Sequence, residues 1–213
     1  MINTSEERPH NPGFDYIELA GEKVRLRPTA AADAESAYGL LTSDPDFTKF
    51  MLWGGPKNVA QLVETYGTRW PEEMRGGAAY PLAVEEKGNA GMIGCIHIRP
   101  TKYPGQFDFG YWLGKPYWNR GYMAEALGLI CHFCFEHLRA EVVLGSAFVG
   151  NMGSRRVMEK NGFKLEGILR RHVLKDGRWI DLWHLSLLRE EWNQRGLEPE
   201  YEKLVAHQET PDG

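Results

Sequence analysis

Residues 117–127 have the sequence Tyr-Trp-Asn-Arg-Gly-Tyr-Met-Ala-Glu-Ala-Leu and join a strand-like segment at 107–113 to a helix-like segment at 124–138. The first turn of a helix leaves backbone N–H groups unpaired, and the helix dipole adds partial positive charge there. Gly121 lets the chain approach an anion closely, and Arg120 adds a fixed cation. These residue types predict a phosphate-binding loop. An ordinary helix start with a turn glycine is the alternative.

Cys131 and Cys134 have the spacing of a redox or zinc motif, with His132 and His137 nearby. Both cysteines, however, fall on the apolar stripe of the predicted helix, and the chain has no second cysteine pair. Buried cysteines commonly act as small apolar side chains. We therefore predict that they pack in the core and that the protein binds no metal.

Composition limits the class of protein. The chain has 213 residues, a formal net charge of -4 and 42% hydrophobic residues. The charge argues against a general nucleic-acid binder, because no basic excess is present to neutralise phosphates. The polar N-terminus does not have the pattern of a signal peptide, and no apolar run approaches the roughly 20 residues that span a bilayer. Three cysteines do not form a disulfide framework. We expect a cytoplasmic protein that does not associate with membranes.

The pattern of hydrophobic residues predicts one mixed α/β domain that positions this loop. Strands are predicted at 23–27, 80–85, 91–99, 107–113 and 141–149 and in a hairpin over 164–188, and helices at 29–41, 59–74, 124–138 and 154–161. We predict a loose leader over residues 1–15, the domain over 16–192 and a polar extension over 193–213. The fingerprints of P-loop and Rossmann nucleotide enzymes are absent.

Three segments in this order resemble one superfamily. They are the strand–loop–helix around Gly121, then Asn151-x-x-Ser154, and then Asn161-Gly162-Phe163-x-Leu165-Glu166-Gly167. Together they resemble the GNAT acetyltransferases, in particular the RimJ/RimL-like branch. The resemblance covers roughly residues 22 to 192. It implies a twisted mixed sheet of about seven strands with helices on both faces and a splay between strands 4 and 5.

The resemblance also implies acetyl-CoA as co-substrate, bound where strands 107–113 and 141–149 separate. The loop departs from the family pattern at its first position, which is Trp118, and at its last, where Met123 replaces a small residue. The backbone at the end of the 107–113 strand is expected to pair with the pantetheine arm of acetyl-CoA. The loop is expected to bind the pyrophosphate, and two residues that follow the 141–149 strand are expected to contact the far side of the cofactor. These residues are Tyr111, Trp112, Leu113, Asn119, Arg120, Gly121, Tyr122, Met123, Ala124, Asn151 and Arg156.

In the RimJ/RimL-like branch, the Glu of the Leu-Glu-Gly motif is the proposed base and the Ser of Asn-x-x-Ser the proposed acid, which correspond to Glu166 and Ser154. Because an alkylamine is protonated at pH 7, the reaction needs a base, and Glu166 would act through water. Ser154 is a poor acid by its pKa and better suited to orienting the sulfur. Glu166 could instead be a surface charge and Ser154 a helix cap. His97 or His172 is an alternative base.

The expected acceptor is a primary amine: a protein N-terminus, an amino acid, a polyamine or an aminoglycoside. Three aromatic residues are predicted to border the acceptor: Phe50, Trp53 and Trp183. The aromatic residues near position 50 could equally be ordinary hydrophobic packing beneath the segment that contains them. The alternative function is a non-catalytic acyl-CoA sensor on the same fold. Family analogy alone suggests a homodimer.

Overall fold

The computed structural model describes residues 11–193 and 198–208, and the remainder of the predicted leader and extension lies outside them. In the described part, nine strands form one mixed sheet. They are β1 (Phe14–Ala20), β2 (Val24–Pro28), β3 (Tyr80–Glu86), β4 (Met92–Pro100), β5 (Gln106–Leu113), β6 (Val142–Phe148), β7 (Lys164–Lys175), β8 (Arg178–Leu188) and β9 (Tyr201–Ala206).

The sheet order is β7-β8-β6-β5-β4-β3-β2-β1-β9. The mixed α/β fold is confirmed, but the prediction of about seven strands was low by two, because β1 and β9 were not recognised. β1 begins at Phe14, inside the predicted leader, and β9 lies inside the predicted polar extension. These two strands pair antiparallel along one edge, from Phe14 with Ala206 to Ala20 with Tyr201.

Helices cover both faces of the sheet. They are α1 (Ala34–Thr42), α2 (Val59–Glu64), α3 (Trp70–Arg75), α4 (Tyr122–Glu136), α5 (Met152–Lys160) and α6 (Arg189–Trp192). The residues predicted as one helix over 59–74 are all helical, but a π-helical segment (Thr65–Arg69) separates α2 from α3. None of the described helices is long and apolar enough to cross a membrane.

Two hydrophobic cores lie on opposite faces of the sheet. The larger one packs α4 and α5 against the sheet and contains Phe107, Phe109 and Trp183. The smaller one packs α1 and α2 against the other face and contains Trp112 and Phe47. We call these the α4 face and the α1 face. Because successive side chains of a strand point to opposite faces, neighbours on β5 contribute to different cores.

α4 is the central helix of the larger core. Twelve of its residues are buried, including Cys131 and Cys134, in agreement with the predicted core packing of both cysteines. Burial of this apolar surface is the main favourable contribution to folding. It also fixes the position of the N-terminus of α4, where the predicted phosphate loop ends.

A partly buried charge network joins β2, β3 and the turn before α1, with its two carboxylates buried and Arg25 at the surface. Arg27 donates hydrogen bonds to Asp33 at 2.7 and 2.9 Å and to Glu85 at 2.8 Å, and Arg25 Nε donates to Glu85 at 2.9 Å. Burial alone would raise the pKa of Glu85, but the hydrogen bonds from the two arginines outweigh it and hold the pKa below its usual range. The network therefore keeps Glu85 charged inside the fold.

The sheet opens between β5 and β6. These parallel strands pair only over Gln106–Asp108 with Val142–Leu144, and their later residues separate. The predicted splay is therefore found between the strands that we expected. They are the fifth and sixth strands of the chain rather than the fourth and fifth, since β1 precedes them.

Candidate active site

The loop before α4 has the backbone shape that close approach to an anion requires. Gly121 is the N-cap of α4 with φ of 86°, in the left-handed region, and Asn119 also has a positive φ of 61°. Met123 is 4% exposed and lies in the core, so its larger side chain points away from the loop. The N–H groups of the first turn of α4 are therefore available at a surface unobstructed by Met123.

Two cations flank this loop. Arg120 is exposed and its guanidinium carbon lies 6.0 Å from the centre of the Tyr117 ring. Lys23 Nζ lies 3.4 Å from the point where a Cβ on Gly121 would stand. Glu125, in the first turn of α4, holds the β1–β2 turn in place by accepting a hydrogen bond from the Lys23 N–H at 2.8 Å. Lys23 could not be predicted from the sequence, because only the fold brings it to the loop.

Trp118 and Tyr122 brace the loop on its two sides. Trp118, the unusual first residue of the motif, donates its indole N–H to the Leu113 carbonyl at 2.6 Å and so ties the loop to the end of β5. Tyr122 donates its hydroxyl to Glu86 on β3. Ala124 is linked to α5 through Asn161, whose side-chain amide donates to the Ala124 carbonyl at 2.8 Å and to the Val157 carbonyl at 2.9 Å.

The open edge of β5 begins after Asp108. From Phe109 to Leu113, the β6 side of the strand has no strand partner in the described part of the chain. Tyr111 and Leu113 pack toward the α4 face, whereas Trp112 is buried on the α1 face. An extended ligand can therefore add to this edge as a strand does.

Ser154 lies at this opening on the α4 face. Tyr111 donates its hydroxyl to Ser154 Oγ at 2.9 Å. Burial raises the pKa of Tyr111 to about 12, with the Ser154 hydrogen bond acting in the opposite sense, so the hydroxyl stays protonated at neutral pH. The Ser154 side chain is not the cap of α5. Asn151 is the cap, because its Oδ1 accepts the Ser154 N–H at 3.1 Å.

The two arginines of α5 have different surroundings. Arg155 donates to Glu159 at 2.7 Å and lies 4.8 Å from the centre of the Trp183 ring. Arg156 is exposed. Unlike Arg155, Arg156 forms no ion pair with a carboxylate among the described residues. Its charge is therefore available for the phosphate that it is predicted to bind.

Glu166 lies on the other face of the sheet. It occupies an irregularity in the β7–β8 pairing and accepts a hydrogen bond from the Ser186 hydroxyl. Ser186 alternates with the core residues Leu185 and Leu187, so it points to the α1 face. Ser154 and Glu166 are therefore on opposite faces, with the splay of β5 and β6 between them.

Three further polar side chains of the α1 face were not singled out by the sequence. Ser146 Oγ and His184 Nδ1 lie 3.2 Å apart on β6 and β8. Asp108 is the last β5 residue paired with β6, and it accepts a hydrogen bond from Arg99 at 2.8 Å. Only the pairing of the strands shows that these residues share the face of Glu166.

The two histidines named as alternative bases differ in their surroundings. His97 points to the α1 face beside Trp70, with ring centres 5.5 Å apart, and its Nε2 is buried without a hydrogen-bond partner among the described residues. Burial lowers the pKa of His97 to about 4, so the ring is neutral at pH 7. His172 is exposed on β7.

The three aromatic residues predicted to border the acceptor lie in different surroundings. Phe50 is 40% exposed and packs edge-on against Phe148 at the end of β6, with ring centres 6.5 Å apart. Trp53, in the same segment, is also 40% exposed. Trp183 is buried on the α4 face beneath Arg155 and does not join them.

The chain is similar in sequence to known acetyltransferases. The sequence profile of the acetyltransferase (GNAT) domain matches residues 23–164. The chain is 28% identical over 174 residues to the Bacillus subtilis protein named "Probable N-acetyltransferase YjcK", covering 80% of this chain and 96% of that protein. It is 36% identical over 174 residues to the B. subtilis protein named "Putative ribosomal N-acetyltransferase YdaF", covering 80% of this chain and 94% of that one.

A solved structure shares the fold. Mycobacterium smegmatis RimJ in complex with CoA-disulfide superimposes with a TM-score of 0.75 at 22% identity, over 85% of this chain and 91% of that one. At this level of identity the likeness concerns the fold. The RimJ-like architecture predicted from the motifs is thus also found among the structural neighbours.

Proposed function

Because the chain belongs to the GNAT family of acetyl-CoA-dependent N-acetyltransferases, we propose that it transfers the acetyl group directly to a primary amine within a ternary complex. The observation that carries this proposal is the splay between β5 and β6, which has Ser154 on one face and Glu166 on the other. Cofactor and acceptor can therefore reach the same opening from opposite faces of the sheet.

The residues present fit acetyl-CoA. The left-handed Gly121, the N–H groups at the start of α4 and the nearby Arg120 and Lys23 suit a pyrophosphate. The open edge of β5 at 111–113 suits the amide groups of the pantetheine arm. We assign the remaining contacts to loop residues 119–124 and to Asn151 and Arg156, with the Asn151 side chain already engaged in capping α5.

Acetyl-CoA, when bound, supplies the acetyl group as a thioester. The amine must lose a proton as its nitrogen bonds to the acetyl carbon and the C–S bond breaks. We assign removal of that proton to Glu166, through a water molecule, because its carboxylate lies on the α1 face and is held by Ser186. We propose that Ser154 orients the sulfur atom by donating a hydrogen bond to it. The Ser154 oxygen accepts a hydrogen bond from Tyr111, so its own hydrogen is available to the leaving group.

We propose that the acceptor binds on the α1 face, beside Phe50 and Trp53. The exposed aromatic rings there suit a flat or apolar portion next to the amine. A protein N-terminus, an amino acid, a polyamine and an aminoglycoside remain the candidate classes. The name of YdaF, a putative ribosomal N-acetyltransferase, supports the first of them. A cytoplasmic location and a homodimer are further proposals that follow from the sequence and the family.

The test is to incubate the protein and acetyl-CoA with a mixed panel of peptides, amino acids, polyamines and aminoglycosides and to measure intact masses. We expect one class to gain a single acetyl group. Glu166→Gln should suppress this gain while leaving acetyl-CoA affinity unchanged. Glu190→Gln, an exposed glutamate on α6, is the matched control. Undiminished turnover in Glu166→Gln would contradict the assignment of the base, and no gain on any amine would favour the acyl-CoA sensor.

A further inference from the structure

Three potential metal ligands converge at the C-terminal end of α4, away from the splay. The ligand atoms of His132, His137 and Glu202 lie within 4.8 Å of one another. Glu202 Oε1 contacts His137 Nε2, and Glu202 Oε2 lies 3.6 Å from His132 Nε2. Each oxygen of one carboxylate therefore faces one imidazole nitrogen.

The convergence depends on where α4 ends. Residues five apart on a regular helix point about 140° away from each other, since each residue turns about 100°. His137, however, is the C-cap of α4, with φ of -104°. Its ring turns back toward His132, and the two ring centres are 5.8 Å apart. Glu202 faces the same place because it pairs on β9 with Leu19, a buried residue.

The cluster contains buried atoms that need a partner. His137 Nε2 and Glu202 Oε1 are buried and neither has a hydrogen-bond partner among the described residues, although they touch each other. His132 is 6% exposed. The Glu202 side chain as a whole is partly exposed, so water can reach the cluster, but its Oε1 is buried. A cation between this carboxylate and the two imidazoles would give the buried oxygen and the buried nitrogen a partner.

We propose that His132, His137 and Glu202 bind a divalent transition-metal ion of the Zn²⁺ class, with water completing the coordination. Two imidazole nitrogens favour such an ion over Mg²⁺ or Ca²⁺, which prefer oxygen ligands. Zinc–ligand bonds of about 2.0–2.1 Å place tetrahedral ligand atoms roughly 3.3 Å apart, a spacing that small side-chain rotations reach here. The cysteines of α4 are not part of the converging set, so the site differs from the zinc motif suggested by their spacing.

The ion would join α4 to β9. Apart from this cluster, β9 is an edge strand paired with β1, and its burial is mostly partial or low. A metal bond from Glu202 to the end of α4 would hold the C-terminal strand on the sheet. Its role is therefore structural, and it does not depend on acetyl transfer.

The test is calorimetric titration of Zn²⁺ into the chelator-treated full chain prepared without a histidine tag. We expect one ion per chain, and a loss of affinity of at least about 100-fold in Glu202→Gln and in His137→Gln. The matched control is His207→Gln. His207 lies just after β9 and pairs with Asp15 at 3.0 Å, outside the cluster. Circular dichroism of each variant verifies that it is folded.

A second readout is amide hydrogen exchange over β9. Zn²⁺ should increase the protection of residues 201–206 in the wild type and in His207→Gln, but not in Glu202→Gln. Co²⁺ in place of Zn²⁺ should give visible absorption bands typical of four-coordinate nitrogen and oxygen ligation. Absence of stoichiometric Zn²⁺ binding, or equal binding by folded Glu202→Gln and wild type, would overturn the proposal.

Discussion

Removing the Tyr111 hydroxyl tests the role assigned to Ser154. The substitution Tyr111→Phe deletes a single oxygen and keeps the ring, which stacks on Phe109 with ring centres 6.1 Å apart. It removes the 2.9 Å hydrogen bond that Tyr111 donates to Ser154 Oγ. Because burial raises the pKa of Tyr111 to about 12, the hydroxyl is a donor throughout the neutral range. Without it, the Ser154 oxygen loses the partner that orients its own hydrogen.

The size of the effect follows from that one bond. A hydrogen bond of this kind contributes about 1 kcal/mol net, and this corresponds to about a fivefold change in the population of the oriented hydroxyl. We therefore expect Tyr111→Phe to lower kcat about fivefold and to lower Tm by about 2–4 °C for a chain of this size. Ser154→Ala removes the hydroxyl itself and should lower kcat by at least about tenfold.

We expect the effects of Tyr111→Phe and Ser154→Ala on kcat not to be additive. If Tyr111 acts only through Ser154, the double variant should have the kcat of Ser154→Ala alone. The assay follows release of the free thiol at saturating amine, with acetyl-CoA affinity measured separately. Tyr103→Phe, which alters an exposed tyrosine, is the control. A double variant about fivefold slower than Ser154→Ala would refute the argument, since Tyr111 would then act independently of Ser154.

The other predictions concern stability. Glu85→Gln should lower the free energy of unfolding by about 3 kcal/mol in urea titrations at pH 7. Because the folded-state pKa of Glu85 is depressed, this contribution is present above its unfolded pKa of about 4.3 and is lost as the pH falls through the lower folded value. His97, with a folded pKa of about 4, should destabilise the protein as the pH falls below about 6.5, by about 2 kcal/mol at pH 5, and His97→Gln should flatten that part of the profile. Gly121→Ala, at a φ of 86°, should cost about 1–2 kcal/mol in the same urea titrations and weaken acetyl-CoA binding. Gly39→Ala, inside α1 where a Cβ meets nothing within 4 Å, should instead stabilise by about 0.5–1 kcal/mol.

The elements around the phosphate loop could be predicted because local signals agree there. Gly121 marks the start of α4, Pro28 ends β2, and the apolar run at β6 has the length of a strand. Each of these features depends on neighbours in sequence. The outer strands depend instead on each other. β1 and β9 pair across nearly the whole length of the chain, so neither segment carries its own evidence for the pairing.

The site could be predicted only in part for the same reason. Motif positions gave Ser154, Glu166 and the loop, but not the face of the sheet on which each lies. That information comes from the pairing of β6 with β8 and β5. The pairing separates Trp183 from Phe50. A different contact, the hydrogen bond from the Lys23 N–H to Glu125 of α4, places the Lys23 amine near Gly121. Sequence spacing does not encode such contacts.

A crystal structure with acetyl-CoA bound is the most direct test of the two-sided site. We predict that the thioester lies in the gap where β5 and β6 separate after Asp108 and Leu144. Its sulfur should lie beside Ser154, and Glu166 should lie across the sheet on the side open to the amine. A thioester bound outside this gap, or one with Ser154 and Glu166 on the same side, would contradict the account.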